Sequence, residues 1–418
     1  MQENSFKKNF FVVILSTTVV FDALNGIISM YISTKLELLI PLIRIIIMVF
    51  FLLYFMAISS MKFRKTLIIL LIFLFITNLS MFIQQSSISI VYASNIFLSK
   101  IFYFYILLQL LDTLTLKKIL SIEDIKKIII TNSFLMPLLI IIPTKLGLAR
   151  QTYANSDLGS SGFFLANNST NFVLITTTGF LLFLLIDEKF KILSFNFMFF
   201  ILSLYSLWLQ GSKTSYFFLI LYILVFLVCF IKKYLANLFG LLLLTILMAF
   251  LILLGTHIYY NFSNYEKFWT NAISSFSARQ AYARSFHDNI FSYLNSGRTS
   301  FLENNTNLFF NHYNVLFLLT GIGSETIVQA TYHLSEMDFF DILFSTGLLG
   351  IILTYGSSLK QLKIFILKKN KKSVYLALNL IFLLIFSFFA GHVFVDIISS
   401  TFVALLLVSI QIYTRNRI

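Results

Sequence analysis

Long apolar runs recur along this 418-residue chain, separated mostly by short polar segments that carry lysine. A helix needs about 20 apolar residues to cross the ~30 Å hydrocarbon core of a bilayer. By that measure the sequence predicts twelve membrane helices. They lie near residues 10–31, 36–58, 65–84, 95–112, 126–144, 162–186, 192–209, 214–231, 236–258, 338–359, 374–391 and 394–413. Because 58% of the residues are hydrophobic and only 11% charged, no soluble core absorbs the apolar surface. We expect an all-α polytopic membrane protein.

The basic residues predict how these helices are oriented. If the N-terminus is cytoplasmic, 21 of the 31 Lys and Arg residues fall in cytoplasmic segments and eight fall outside. This bias follows the positive-inside rule and predicts that both termini are cytoplasmic. The net charge of +14 is then a signal of topology and lipid headgroups. It does not indicate a nucleic acid partner, because no soluble module interleaves basic and aromatic residues.

One outer segment is much longer than the others. It spans residues 259–337, which is 79 residues, and divides the chain into helices 1–9 (1–258), the loop, and helices 10–12 (338–418). Ser300 and Glu303 have the spacing of a capping box, and 308–319 is apolar enough to dip into the membrane interface. Because long loops with their own helices are usually functional, we expect the chemistry here.

Six basic residues are candidates for binding an anion near the outer face. Arg44 lies inside the second predicted helix, where an unpaired charge costs about 3 kcal/mol unless it snorkels to the interface. The others lie in outer segments: Arg150, Lys213, Arg279, Arg284 and Arg298. Arginine offers a planar fork to phosphate oxygens, and Lys213 stands near a helix start, where backbone N–H groups favour an anion. The alternative is a set of solvated charges, with Arg284 paired to Asp288.

An acidic pair and a histidine provide candidates for a general base. Glu336 and Asp338 stand at the outer mouth of the tenth helix, Asp341 one turn further in, and His333 three residues before Glu336. A base must be a carboxylate or an imidazole at the mouth of the cavity. The same acids also suit capping and dipole stabilisation of the helix start, and both interpretations stay open.

Several familiar signatures are missing from the sequence. It contains no GxxxxGK[ST], HExxH, CxxC or GxSxG motif and no acid-rich metal signature. We therefore expect neither a cofactor nor a metal site. The single Cys229 lies in an apolar helix and is interpreted as a packing residue.

Four stretches resemble the O-antigen polymerase/ligase superfamily, which includes Wzy-type polysaccharide polymerases. They are GFFLANNSTNF (162–172), LQGSKTSYFFLIL (209–221), NSGRTSFL (295–302) and the segment from GIG (321–323) to GLLG (347–350). Lys213 stands where the family usually has arginine. The ligases of this superfamily carry a His-Asn pair eleven residues before GLLG, and this chain has Glu336 there. The departure favours a polymerase of capsule or exopolysaccharide.

The resemblance implies a specific reaction at the outer face of the bacterial cytoplasmic membrane. The donor is a glycan on undecaprenyl pyrophosphate, and the acceptor is a second lipid-linked repeat unit. Other capsule-assembly proteins, such as a flippase or a chain-length regulator, are implied as partners. An O-antigen-ligase-type transferase remains an alternative, as does a flippase or transporter of lipid-linked oligosaccharide. A transporter would be marked by broken helices near the membrane midplane.

Overall fold

The computed structural model describes residues 2–33, 35–36, 39–84, 87–152, 159–187, 194–234, 298–311, 314–368, 374–389 and 391–415. The helices up to the large loop are α1 (Gln2–Ser16), α2 (Thr18–Ile27) with a π-helical turn (Ile28–Ile32), α3 (Leu39–Ile58), α4 (Ser60–Ile83), α5 (Ile88–Leu116), α6 (Ile122–Lys145), α7 (Asn167–Asp187), α8 (Phe195–Gln210) and α9 (Lys213–Tyr234). Strands β1 (Arg150–Gln151) and β2 (Ser160–Gly162) form an antiparallel hairpin between α6 and α7.

The later helices include three short ones that precede the tenth predicted span. They are α10 (Arg298–Asn311), α11 (Val315–Thr320), α12 (Ser324–Thr331), α13 (Asp338–Ile351) with a π-helical turn (Ile352–Gly356), α14 (Ser357–Lys368), α15 (Val374–Phe389) and α16 (Ile397–Arg415). α10 already includes Arg298, so Ser300 lies inside this helix and does not cap it as the sequence pattern predicts.

Eight helical stretches within the described residues are long and apolar enough to cross a membrane, and three shorter apolar helices accompany them. These eleven coincide with eleven of the twelve predicted spans, while the ninth, 236–258, lies outside the described residues. The prediction of an all-α polytopic membrane protein is confirmed. Helices suit this environment because each one satisfies its backbone polar groups internally, without water.

Ion pairs bring both ends of the described chain to the same end of the bundle. Lys8 Nζ lies 2.8 Å from Asp124 at the start of α6, and Arg415 lies 2.9 Å from Asp112 near the end of α5. Lys62 also contacts Asp112, at 2.5 Å. Because only a short turn joins α5 to α6, these pairs form one charged surface. It is composed of residues that the charge bias assigns to the cytoplasmic side.

Helices α7 and α16 form the centre of the bundle. Nearly all of their side chains are buried, whereas α3, α4 and α9 expose many large apolar side chains. Three threonine hydroxyls of α7 bond back to their own helix or its first turn, as when Thr176 Oγ1 donates to the Phe172 carbonyl at 2.8 Å. These threonine hydroxyls are therefore satisfied within α7, whereas Asn171 of the same helix bonds to residues at the start of α9.

The end of the large loop enters the bundle and meets a break in α13. Gly347 has φ 65° and ψ −163°, so the helix is interrupted there. The backbone N–H groups of Ile322 and Gly323 donate to the carbonyls of Phe344 (2.8 Å) and Ser345 (3.2 Å) just before the break. The turn after α11 thus satisfies carbonyls that the interruption deprives of helical partners.

Glycines allow this close approach. A Cβ on Gly347 would lie 2.3 Å from the backbone of Leu319, and one on Gly321 would lie 2.2 Å from the backbone of Ser345. Both glycines also have positive φ, which side chains disfavour. The GIG and GLLG patterns therefore mark the two surfaces of one backbone contact.

The break lies deep in the bundle. Gly347 is the tenth residue of α13, so at 1.5 Å per residue it lies about 14 Å along the helix axis from the helix start. Thr320 Oγ1 also donates to Ser80 Oγ at 2.8 Å, joining the re-entrant segment (315–323) to α4. The loop end thus packs against the bundle helices, and the membrane contact expected for 308–319 stays a prediction.

Surface labelling tests the topology at α10. In a Cys229→Ser background, Asn304→Cys places a thiol on an exposed position of the loop, beside the buried Asn305. We expect an impermeant maleimide to label it in intact cells, while the exposed control Lys65→Cys labels only after permeabilisation. The reverse pattern would overturn the predicted orientation.

Candidate functional site at the end of the large loop

Two of the predicted functional residues form an ion pair. Arg298 Nη2 and Nε donate to Glu336 Oε2 at 3.1 and 3.2 Å, so the guanidinium approaches one carboxylate oxygen with two donors. Arg298 Nη1 also donates to the carbonyl of Phe389 at 3.3 Å. Glu336 keeps 44% of its side chain exposed, against 13% for Arg298. The carboxylate is therefore accessible to a ligand, and the cation beside it is largely shielded.

The backbone of Glu336 is held in an unusual conformation. Its φ is +53°, in the left-handed region that residues with a Cβ rarely adopt. Asp341 holds both neighbours: it accepts hydrogen bonds from the backbone N–H of Ser335 (2.7 Å) and from that of Met337 (3.2 Å). The Ser335 hydroxyl donates to the same carboxylate. Such strain persists only where surrounding bonds hold it, and it concentrates at functional sites.

Asp338 is fully buried and bonds to the turn between α15 and α16. Its carboxylate accepts hydrogen bonds from the backbone N–H groups of His392 (2.6 Å), Val393 (2.7 Å) and Phe394 (2.6 Å). A carboxylate enclosed in this way does not reach a substrate. The sequence left two roles open for Asp338, one structural and one catalytic. We therefore assign it the structural role.

His333 is exposed beside the pair, on a short stretch of irregular backbone. Its ring packs against Phe301 with centroids 4.9 Å apart. Its carbonyl accepts hydrogen bonds from Thr331 Oγ1 (2.9 Å) and Asn305 Nδ2 (3.3 Å). The backbone is thus anchored while the imidazole remains at the surface, so His333 stays a competitor to Glu336 for the role of base.

Lys213 and Arg150 lie on neighbouring segments. Lys213 is the first residue of α9, and Thr152 Oγ1 of the hairpin donates to the carbonyl of Gln210, at 2.8 Å, just before it. Arg150, two residues from this contact, is exposed, and its guanidinium donates to the carbonyl of Leu165. The hairpin therefore brings the Arg150 segment to the helix start that carries Lys213.

A buried polar cluster shapes the start of α9. Asn171 Nδ2 donates to Ser212 Oγ at 2.9 Å, and Ser215 Oγ donates to Asn171 Oδ1 at 2.6 Å. Ser212 Oγ also accepts the Ser215 backbone N–H at 3.0 Å, as an N-cap does. These polar residues fall within the stretches that carry the family resemblance, and they orient the helix start beneath Lys213.

Arg44 forms an intramembrane ion pair that was not predicted. Its partner is Asp22, the single acid in the first apolar run, and both side chains are 18% exposed. A small apolar cavity lined by Phe21, Tyr103 and Thr401 adjoins the pair. Because charges inside hydrocarbon pair with one another, Asp22 was recognisable from the sequence as a partner for Arg44.

The remaining predicted cations, Arg279 and Arg284, lie outside the described residues. Among the residues that the structure describes, Arg298 and Glu336 are the predicted pair that it brings into direct contact. Sequence reasoning missed the α15–α16 turn as a part of this site. Its closeness to Glu336 depends on helix packing between Glu336 and Gly391, which are 55 residues apart in the chain.

The fold and these charged residues define a multi-pass α-helical membrane protein with a polar site at one end of its bundle. No family model, curated protein sequence or solved structure matches this chain.

Proposed function

We propose that this protein is a glycosyltransferase that joins undecaprenyl-pyrophosphate-linked oligosaccharide repeat units into a capsular or exopolysaccharide. The reaction takes place at the outer face of the bacterial cytoplasmic membrane. The observation that carries the proposal is the contact of Arg298 with Glu336, at 3.1 Å. It places a cation and an accessible carboxylate together at the end of the large loop, where the resemblance to O-antigen polymerases expects chemistry.

The carboxylate suits the acceptor half of the reaction. The acceptor hydroxyl oxygen attacks the anomeric carbon of the donor glycan and forms the new glycosidic bond. The bond from that carbon to the pyrophosphate oxygen breaks, and its electron pair leaves with the lipid pyrophosphate. Glu336 accepts the hydroxyl proton in this step, as a general base. Arg298 lies against the same carboxylate, with Nη2 3.1 Å from Glu336 Oε2.

The cations suit the leaving group. A departing pyrophosphate gains negative charge, which positioned cations and N–H donors stabilise. Arg298 and Lys213 are assigned to this role, with Arg150, whose segment contacts the start of α9. Arg44, which pairs with Asp22 on α2, is a weaker candidate for this role.

Glycan chain-length analysis of a strain lacking this protein tests the proposal. Accumulation of single repeat units on the lipid carrier would support a polymerase. Full-length polymer that lacks its final attachment would instead indicate an O-antigen-ligase-type transferase. Polymer of normal length and attachment would contradict both.

A transporter of lipid-linked oligosaccharide is the second candidate, and two observations favour it. α13 is broken at Gly347, within an apolar span, and Arg44 pairs with Asp22 inside the bundle. Purified protein in liposomes with a fluorescent lipid-linked repeat unit separates the two functions. Longer glycan products support the polymerase, whereas movement of unlengthened substrate between leaflets supports the transporter.

Lys213 provides a test of the pyrophosphate assignment. Lys213→Ala removes the cation at the start of α9, and we expect it to reduce polymer by about 100-fold or more, as for other oxyanion donors. Lys213→Arg should retain activity, because arginine also offers a cation to phosphate. Protein level, measured by immunoblot, controls for folding. Normal polymer from the alanine variant would contradict the assignment.

A further inference from the structure

The turn between α15 and α16 contacts both members of the Arg298–Glu336 pair. On one side, the carbonyl of Phe389 at the end of α15 accepts a hydrogen bond from Arg298 Nη1 at 3.3 Å. On the other, Gly391 packs so closely that a Cβ there would lie 3.0 Å from the backbone C and O atoms of Glu336. This part of the chain therefore lies against both Arg298 and Glu336.

Asp338 holds this turn in place. Three consecutive backbone N–H groups, from His392 to Phe394, converge on its buried carboxylate at 2.6–2.7 Å. His392 itself has φ +74°, a strained conformation like that of Glu336. Glu336 and His392 are thus strained residues on facing segments, and the buried Asp338 carboxylate joins the two segments. We conclude that the surrounding hydrogen bonds impose this backbone arrangement.

We infer that Asp338 is a positioning residue that acts through the 391–394 turn to set the geometry of Glu336 beside Arg298. This inference rests on the proposed function. Asp338 does not contact the substrate: its carboxylate fixes the turn, the turn supports the Glu336 backbone, and Glu336 presents its side chain to the acceptor hydroxyl. Asp341 fixes the residues on either side of Glu336, so Glu336 is held both from its own segment and from the facing turn.

Gly391 offers a selective perturbation of this arrangement. A methyl group added at Gly391 would meet the backbone of Glu336. A contact of 3.0 Å requires a shift of the Glu336 backbone by a few tenths of an ångström. Gly356→Ala is a matched control, because its Cβ would meet Ile352 at an ordinary 3.7 Å.

Purified full-length protein and a lipid-linked repeat unit are used to measure initial rates of glycan extension. We expect Gly391→Ala to lower kcat by about 10- to 100-fold, the scale of small misplacements of a catalytic group, with KM changed less than about threefold. Gly356→Ala should match the unaltered protein. Asp338→Asn, which replaces one acceptor oxygen by an NH2 donor, should lower kcat in the same direction.

A double-mutant cycle separates positioning from a general loss of structure. If the turn acts through Glu336, adding Gly391→Ala to Glu336→Gln causes no further loss beyond about twofold. Losses that multiply would overturn the inference, as would an unchanged kcat in Gly391→Ala. If Glu336→Gln is fully active while Gly391→Ala is impaired, the turn acts through another group and the inference also fails. Glycan chain-length analysis of the deletion strain tests the polymerase proposal independently of this cycle.

Discussion

Replacing Glu336 with glutamine is expected to reduce polymer formation by roughly 100- to 10,000-fold, the usual contribution of a general base. Glutamine keeps the size of the side chain and can still accept a hydrogen bond from Arg298, but it cannot accept a proton at neutral pH. The side chain is 44% exposed, so the substitution should leave the protein level and membrane topology unchanged. Chain-length analysis of the glycan and immunoblotting measure the two effects.

His333→Gln is the matched comparison for this result. The imidazole lies on the same irregular stretch and is exposed, with its ring against Phe301, so the substitution tests the competing base. We expect a loss of less than about tenfold. Full-length polymer from Glu336→Gln together with none from His333→Gln would assign the base to His333 and leave Glu336 as the partner of Arg298.

Replacing Arg298 with alanine is expected to abolish detectable polymer. Loss of a single donor to a developing oxyanion costs about 100- to 1,000-fold, and this substitution also removes the cation beside Glu336. Arg298→Lys should recover only part of the activity. Lysine supplies a charge but not the fork that reaches both Glu336 and the Phe389 carbonyl. Initial rates with the purified protein and a lipid-linked donor measure both variants.

Arg415→Ala is the control for removing an arginine from an ion pair. Arg415 lies 2.9 Å from Asp112 at the opposite end of the bundle from Arg298. Because a partly exposed pair contributes little to stability, we expect normal polymer and normal protein level. If Arg298→Ala behaves like Arg415→Ala, Arg298 has no role in the leaving-group step. If both variants lose protein, the loss of polymer reflects stability.

Some features of the site were predictable because they depend on short stretches of sequence. The position of Glu336 before GLLG follows from spacing, and the resemblance singles out Arg298 within the NSGRTSFL stretch. The structure places these two residues in contact. Spacing did not show which of the acids Glu336 and Asp338 is a candidate base and which is structural. Asp338 and Glu336 are two residues apart, yet one is fully buried and the other is accessible.

Other features depend on packing between distant segments. In the sequence, the segment around Gly347 reads as an unbroken apolar span. The break is explained by the tertiary contact, in which backbone N–H groups of the turn at 321–323 donate to the carbonyls of Phe344 and Ser345. The packing of the turn after α11 against α13 depends on the same contact. Hydropathy measures how apolar a segment is, but it does not measure which backbone groups a neighbouring segment satisfies.

The amino-acid sequence by itself determined the class of this protein and the positions of most helices. A membrane requires about 20 consecutive apolar residues for each span. Each span can therefore be recognised from its own residues, without knowledge of the other helices. The tertiary structure decided which charges meet. Arg298 joins Glu336, Arg44 joins Asp22, and Asp338 holds the turn that follows Gly391. Each of these contacts joins separate segments, so its geometry depends on how the helices pack and not on either segment alone.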